Sequence, residues 1–217
     1  AETVISMLAV SSLGGVWTSC SPDFGANGVV DRFGQVNPHI LITSNGYSYN
    51  GKLFKLEEKV NGVLESIDSI RHIVEIEYVD IKSNFNHDSI ISFGDILNGE
   101  QTKPTFEQLP FNHPLFIMYS SGTTGPPKSI VHSSGGTLIQ HMKEHQLHCD
   151  IKAGKSTMFW FTTCGWMMWN WLVSGLSSGS TIVLYDGSPS YPSLERLWKM
   201  IDDLNITHFG TSPKFLS

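Results

Sequence analysis

The chain contains the stretch Tyr119-Ser120-Ser121-Gly122-Thr123-Thr124-Gly125-Pro126-Pro127-Lys128, directly after the apolar run Leu115–Met118. These ten residues carry four aliphatic hydroxyls, two glycines and one lysine. Glycines let backbone N–H groups come close to an anion, hydroxyls add neutral donors, and the lysine supplies a positive charge. The stretch therefore predicts a phosphate-binding loop at the end of a strand, with ATP as its ligand.

Two other interpretations of this loop have to be weighed. A Walker A loop requires Gly, four residues and then Gly-Lys-Ser/Thr. Here Pro127 stands where the second glycine should be, and proline removes a donor from such a cradle. Loops rich in Ser, Thr and Gly also occur as plain turns, which composition alone does not exclude. The order of the residues favours the phosphate loop.

The order SSGTTGPPK, residues 120–128, resembles the phosphate-loop signature of the adenylate-forming superfamily. Within that superfamily, WTSCSPDFG (17–25), GGTLIQH (135–141) and GWMMWNW (165–171) resemble the acetoacetyl-CoA synthetase family. The segment VLYDGSP (183–189) favours this branch over acetyl- and propionyl-CoA synthetases. The resemblance extends over essentially the whole chain.

The resemblance implies an α/β fold of layered, largely parallel sheets flanked by helices. It places residues 1–217 in an incomplete N-terminal AMP-dependent synthetase/ligase domain. The hinge, the adenine and ribose contacts and the mobile C-terminal domain of that family are expected beyond Ser217. We therefore expect a fragment that is inactive as a ligase on its own.

The resemblance also implies a reaction and a set of site residues. The parent enzyme is expected to convert acetoacetate and Mg-ATP to acetoacetyl-AMP, and then to transfer the acyl group to CoA. The ATP phosphates are expected at Ser120, Ser121, Gly122, Thr123, Thr124, Gly125 and Lys128. The acyl pocket is expected at Gly165, Trp166, Met167 and Met168. No catalytic residue outside the phosphate loop and no protein-bound metal are expected. The alternatives are a truncated, inactive nucleotide-binding chain and a synthetase for another short carboxylate.

The segment 49–52, Tyr-Asn-Gly-Lys, lies where related synthetases carry basic residues for the nucleotide end of CoA. Lys52 keeps the only positive charge there. The resemblance implies a CoA contact at Lys52, and the alternative is an ordinary solvated surface lysine.

Composition narrows the class of protein. The hydrophobic fraction of 40% is sufficient for a real core. The net charge of -6 and the lack of a Lys/Arg cluster argue against nucleic acid and anionic membranes as partners. Three widely spaced cysteines predict reduced intracellular thiols, and no apolar run has the length of a membrane span. These features predict a cytosolic protein.

Alternation of short β-branched or aromatic runs with longer helical stretches predicts α/β layering. We expect helices over Lys52–Ile67, Gly135–Cys149 and Trp166–Leu176, and strands over Leu115–Tyr119 and Met158–Phe161. The apolar stripe of the first helix is expected to begin at Leu53.

His141 and His145 match the H-x-x-E-H motif of inverted zincins, which places two histidines on one helical face. Five residues can match by chance in a chain with nine histidines, and no third ligand follows on a later helix. We therefore expect a polar helix face rather than a zinc site.

Four of the six tryptophans, Trp160, Trp166, Trp169 and Trp171, lie within twelve residues. They could form core, since aromatic side chains bury large areas, or they could wall an acyl and pantetheine channel. We assign Trp166 to the channel and the other three to the core.

Overall fold

Short strands alternate with helices in the computed structural model, which describes residues 1–100, 103–120 and 125–216. The helices are α1 (Glu2–Ser12), α2 (Ala26–Phe33), α3 (Glu57–Ser66), α4 (Phe93–Asn98), α5 (Ser134–Lys143), α6 (Met167–Ser174), α7 (Arg196–Asp203) and α8 (Pro213–Leu216). A π-helical turn (Glu144–His148) follows α5, and a 3-10 turn (Gly175–Ser178) follows α6. The strands are β1 (Trp17–Thr18), β2 (Ile40–Ser44), β3 (Gly46–Tyr49), β4 (Lys52–Lys55), β5 (His72–Ile76), β6 (Ile90–Ser92), β7 (Pro114–Tyr119), β8 (Ser129–Ser133), β9 (Thr157–Trp160), β10 (Thr181–Val183) and β11 (His208–Gly210).

The strands form three small sheets and one hairpin. Their orders are β1-β7-β8, β10-β9-β11 and β2-β5-β6, and β3 pairs with β4. The pairings of β1 with β7, of β5 with β2 and β6, and of β9 with β10 and β11 are parallel. The hairpin is antiparallel. The predicted α/β fold with largely parallel sheets is confirmed.

The chain divides into two compact units. The first comprises Ala1–Ser19, Phe106–Met118 and Val131–Ser217. The second comprises Cys20–Thr105 and Tyr119–Ile130. The sheet β10-β9-β11 belongs to the first unit, and the sheet β2-β5-β6 belongs to the second.

In the first unit, helices cover both faces of β9 because successive strand residues point to opposite faces. Met158 packs with Trp171 and Leu172 of α6. Its neighbour Phe159 packs on the other side with Leu197 of α7. Met158 and Leu197 are 1% and 0% exposed, so two apolar layers enclose the strand.

In the second unit, α2 and α3 cover the sheet β2-β5-β6. The core of this unit consists of Phe33, Leu41, Leu56, Val60, Val63, Ile67, Ile70, Ile73 and Phe85. The predicted stripe of α3 is therefore buried from Leu56 onward, except that Leu64 is partly buried. The helix predicted from Lys52 is wrong at its start, because residues 52–55 form β4 and Leu53 is 51% exposed.

The reason for this error is a two-residue hairpin turn at Asn50 and Gly51. Their φ angles are +52° and +75°. Two consecutive left-handed residues match the right-handed twist of a hairpin, and Asn-Gly is the sequence best suited to that turn. The turn forces residues after it back along β3, so the helix begins only at Glu57.

The region after the phosphate loop also differs from its prediction. The strand predicted over Leu115–Tyr119 is confirmed as β7, but a second strand, β8, precedes the predicted helix. That helix is α5, which ends at Lys143 and continues as the π-helical turn to His148. The β-branched pair Ile130-Val131 was the available signal for β8.

Candidate functional site

The base of the predicted phosphate loop is closed by Ser120 and Lys128. The Ser120 N–H donates to the Lys128 carbonyl (3.0 Å), and the Lys128 N–H donates to Ser120 Oγ (3.2 Å). The structure therefore describes Ser120, Gly125 and Lys128 of the predicted set. Ser121, Gly122, Thr123 and Thr124 lie outside the described residues, and their assignment to the ATP phosphates stays a prediction.

The Lys128 side chain is exposed, and within the described ranges no carboxylate forms an ion pair with it. Gly125 is also exposed, and a Cβ built on it would meet no atom of the described residues within 4 Å. An exposed ammonium group without a fixed partner can turn toward a phosphate at little cost. The described part of the loop thus suits anion binding.

Residues around α2 support this loop, and the sequence patterns did not reveal them. Gln35 hydrogen-bonds on both sides of Lys128, through Pro127 and Ser129. The Arg32 guanidinium lies 4.6 Å from the Phe24 ring centroid and 6.0 Å from that of Tyr119. A side chain that acts only through tertiary contacts leaves no periodic signal, so neither residue could be found from spacing.

The stretch 20–25 that follows β1 is held by basic residues of α2 and α3. Lys59 Nζ donates to the Pro22 carbonyl, and Arg32 packs over Phe24. Burial lowers the pKa of Lys59, while the nearby carboxylate of Asp23 acts in the opposite direction. Lys59 therefore fixes the backbone of this motif in addition to carrying charge.

Two of the recognised motifs meet in the first unit. Trp17 and Thr18 pair in parallel with Phe116 and Ile117 of β7. The next residue, Ser19, donates its hydroxyl to the Cys164 carbonyl at 2.6 Å. The WTS segment is thus tied both to the strand before the phosphate loop and to the turn before GWMMWNW.

The predicted acyl-pocket residues lie at the start of α6. Trp166 and Met167 are 57% and 45% exposed, whereas Met168 packs partly against the core of Met158 and Trp171. Gly165 precedes them in the turn that Ser19 anchors. Their role toward an acyl group stays a prediction.

Of the other three tryptophans of this region, Trp169 and Trp171 are core, as predicted, and Trp160 is partly buried against that core. Trp169 and Trp171 are 6% and 7% exposed, and the rings of Trp160 and Trp171 meet edge to face at 5.6 Å. Trp166 differs because it precedes the first turn of α6 and is more than half exposed.

Lys52 lies at the exposed end of the β3–β4 hairpin. It pairs with Tyr49 in the antiparallel register, directly after the Asn50-Gly51 turn. An exposed hairpin tip is accessible to a large anionic ligand and equally to water. The expected CoA contact at Lys52 stays a prediction.

The H-x-x-E-H pair is buried, so the predicted polar helix face is wrong. His141 and His145 are 6% and 0% exposed. His145 Nε2 lies 3.1 Å from the Trp171 carbonyl, and His141 Nδ1 lies 2.8 Å from Ser174 Oγ. Because Ser174 Oγ donates its own proton to the Trp171 carbonyl (2.7 Å), it accepts from His141. His141 therefore fastens α5 to α6, and His145 fastens the π-helical turn that follows α5 to the same helix.

Glu144 completes this network, since its Oε2 accepts from the Trp171 indole N–H at 2.9 Å. Within the described ranges, no group of three His, Cys, Asp or Glu side chains is placed to hold a metal ion. The expectation that His141 and His145 bind no zinc stays a prediction.

No helix in the described part of the chain is long and apolar enough to cross a membrane.

Burial of this histidine pair predicts a pH-dependent stability. Burial, together with a smaller effect of neighbouring His145, lowers the pKa of His141 from 6.5 to about 4, and Glu144 opposes the shift. The unfolded chain therefore binds the proton first as the pH falls below about 6.5. The free energy of unfolding should be unaffected by this group above neutrality, and it should fall as the pH approaches 4.

The matched substitutions are His141→Gln and His148→Gln, because His148 is exposed on the same helical segment. Between neutral pH and pH 5, the free energy of unfolding should fall by about 1 to 2 kcal/mol because of His141, with solvent screening included. Urea denaturation across this pH range measures the cost. His141→Gln should flatten the pH dependence, and His148→Gln should not. Equal profiles for both variants would show that His141 is not buried in its neutral form.

Comparisons with known proteins place the whole chain. The family model of AMP-binding enzymes matches residues 1–217. The acetoacetyl-coenzyme A synthetase of Rhizobium meliloti (strain 1021) is 48% identical over 216 residues, which are 99% of this chain and 33% of that protein. The malonamoyl-CoA synthetase of Penicillium aethiopicum is 42% identical, over 100% of this chain and 32% of its own length.

A solved structure agrees with these relatives. The acetoacetyl-CoA synthetase from Streptomyces lividans superimposes with a TM-score of 0.93 at 44% identity. The match covers 99% of this chain and 32% of that chain. The chain therefore spans about a third of the length of the proteins that it matches.

Proposed function

This chain belongs to the family of AMP-binding enzymes, and we propose that it is part of a larger acid-thiol ligase that activates acetoacetate with ATP. The observation that carries the proposal is the loop closed by Ser120 and Lys128 after β7, in a chain that matches the family over its full length. The full-length ligase that contains this chain is called the parent enzyme below. In it, residues 1–217 form part of the large N-terminal domain.

The proposed reaction has two steps. A carboxylate oxygen of acetoacetate attacks the α-phosphorus of ATP, and the bond from that phosphorus to the bridging oxygen breaks, so that pyrophosphate leaves. The sulfur of CoA then attacks the acyl carbon, AMP leaves with the electron pair of the carbon–oxygen bond, and the thiol proton passes to solvent or base.

The loop would act in the first step. Ser121, Gly122, Thr123 and Thr124 would donate to the β- and γ-phosphates, and Lys128 would neutralise the charge of the leaving pyrophosphate. Positioning and charge stabilisation dominate the catalysis of such transfers, since the protein does little covalent chemistry. Magnesium would enter as the Mg-ATP substrate.

The segment at the start of α6 would receive the acyl group. Trp166 and Met167 present exposed apolar surface there, and the turn before them is anchored by Ser19. CoA would be the second substrate, with Lys52 at the exposed hairpin tip as a contact for one of its phosphates. The odd number and wide spacing of the cysteines support a location in the cytosol, where thiols stay reduced.

A second candidate substrate is favoured by the malonamoyl-CoA synthetase that is 42% identical to this chain. Malonamate and acetoacetate both carry a carbonyl β to the carboxylate and differ by an amide nitrogen in place of a methyl carbon. A site for this class would accept both more readily than butyrate, which lacks the β carbonyl.

Carboxylate-dependent exchange of labelled pyrophosphate into ATP, catalysed by the parent enzyme, tests the proposal. We expect exchange with acetoacetate, and kcat/KM at least about tenfold lower with butyrate, because a site that hydrogen-bonds a carbonyl leaves its donor unpaired without one. Faster exchange with malonamate than with acetoacetate would establish the second candidate. No exchange with any short carboxylate would refute the proposed function.

A further inference from the structure

The side chain of Gln35 bridges the two residues that flank Lys128. Gln35 Nε2 donates to the Pro127 carbonyl at 2.7 Å. Gln35 Oε1 accepts from the Ser129 hydroxyl at 2.8 Å. One amide group therefore holds the residue directly before Lys128 and the residue directly after it.

The remaining amide proton of Gln35 is also used. It donates to the Asp31 carbonyl at 2.5 Å, one turn back in α2. The last carbonyls of a helix lack partners within the helix, so this bond both satisfies Asp31 and orients the amide. Two donors and one acceptor are thus matched, and the reversed amide would set its oxygen against two carbonyl oxygens.

Four hydrogen bonds consequently hold the segment around Lys128. Two join the backbone of Lys128 to Ser120, one in each direction. In the third, Gln35 donates to the Pro127 carbonyl, and in the fourth it accepts from the side-chain hydroxyl of Ser129. The lysine side chain remains exposed and, within the described ranges, forms no ion pair. The backbone is held while the ammonium group stays available.

We infer that Gln35 is a positioning residue that fixes the base of the phosphate loop on both sides of Lys128. The inference deepens the proposed function and rests on it for its effect on catalysis. Gln35 contacts no substrate in this scheme. It lowers the conformational entropy that Lys128 loses when its ammonium group binds the leaving pyrophosphate, because the backbone of this segment is already fixed.

The bonds from Gln35 to Pro127 and Ser129 are called the clamp below. Limited digestion of the parent enzyme by trypsin tests the clamp without reference to activity. Cleavage of the Lys128–Ser129 bond, followed by mass spectrometry, reports how often this segment opens. Gln35→Met removes all three side-chain bonds and should accelerate this cleavage about five- to tenfold, since both groups are exposed and water replaces part of each bond. Gln35→Glu should accelerate it at least as much, because a carboxylate would face two carbonyl oxygens.

Two further variants sharpen the digestion experiment. Ser129→Ala removes one arm only and should accelerate cleavage about twofold to threefold. Adding Ser129→Ala to Gln35→Met should change nothing more, because the bond is already lost. Gln146→Glu is the matched control, since Gln146 is exposed on the π-helical turn and should leave the cleavage rate unchanged.

The kinetic test separates positioning from general loss of structure. In the parent enzyme, Gln35→Glu should lower kcat for pyrophosphate exchange about five- to tenfold, and it should leave thioester formation from pre-made acetoacetyl-AMP unchanged. Wild-type digestion rates in Gln35→Glu and Gln35→Met would overturn the clamp. An equal loss in both half-reactions would overturn its catalytic role. If the wild-type parent showed no exchange, the proposed function would fail, and digestion would still decide the clamp.

Discussion

Replacing Thr123 and Thr124 by valine in the parent enzyme should lower kcat/KM for adenylation by about two to four orders of magnitude. Valine keeps the shape of threonine and removes the hydroxyl. Each hydrogen bond to a charged phosphate contributes about 1.5 to 3 kcal/mol, and each 1.4 kcal/mol corresponds to about tenfold in rate. The loss should fall on the step in which pyrophosphate leaves.

The second half-reaction provides the internal control for this substitution. Thioester formation from pre-made acetoacetyl-AMP and CoA should be nearly unchanged, because pyrophosphate has already departed. Thr181→Val is a matched external control, since Thr181 is exposed at the start of β10. Equal slowing of both half-reactions by the threonine pair would mean that the loop is structural and would contradict its role as a phosphate cradle.

Trp166→Ala should change the choice among carboxylates and spare the affinity for ATP. The substitution removes a large aromatic side chain, 57% exposed, from the turn before α6. Contacts of this size discriminate between similar small substrates by about 1 to 3 kcal/mol, which is about 5- to 140-fold. We expect the ratio of kcat/KM for acetoacetate to that for longer carboxylates to fall by about that factor.

Pyrophosphate exchange across a series of carboxylates measures this ratio, and the KM for ATP serves as the second readout. The matched control is Trp198→Ala. Trp198 is 45% exposed, its ring lies tilted against that of Phe209, and it is far from the GWMMWNW motif in sequence. An unchanged carboxylate ratio in Trp166→Ala would remove this residue from the acyl pocket. A large rise in the KM for ATP would point to disruption of the loop.

The sequence predicted the parts of the fold whose signal is local. The apolar run before the loop predicted β7, and alternating short runs predicted the parallel α/β layers. The hairpin over residues 46–55 was also predictable, because Asn50-Gly51 favours a two-residue turn, but the apolar stripe of α3 was extended too far toward Lys52. The competing turn signal outweighed the helical period there.

The histidines of α5 and of the π-helical turn after it show where periodicity fails. Leu138 and Ile139 are 46% and 61% exposed, whereas His141 and His145 are buried. A prediction from hydrophobicity alone would bury Leu138 and Ile139 and expose the histidines. The structure reverses this, because Trp171 and Ser174 supply the hydrogen bonds that let the imidazoles be buried. Such partners are distant in sequence and leave no trace in the local pattern.

The sequence predicted the motifs of the candidate site. It did not predict the residues that hold these motifs in place through tertiary contacts. Lys128 and Trp166 stand in recognisable stretches. Gln35 acts across 92 residues to reach Pro127, and Ser19 acts across 145 residues to reach Cys164. Only the folded chain brings these pairs together.

Isotope transfer tests the central claim most directly. Acetoacetate labelled with ¹⁸O in its carboxylate, ATP, CoA and the parent enzyme are incubated, and the products are analysed by mass spectrometry. If the carboxylate attacks the α-phosphorus, one ¹⁸O atom should appear in AMP and none in pyrophosphate. Label in inorganic phosphate, with ADP as the other nucleotide product, would show attack at the γ-phosphorus and would contradict adenylation by this enzyme.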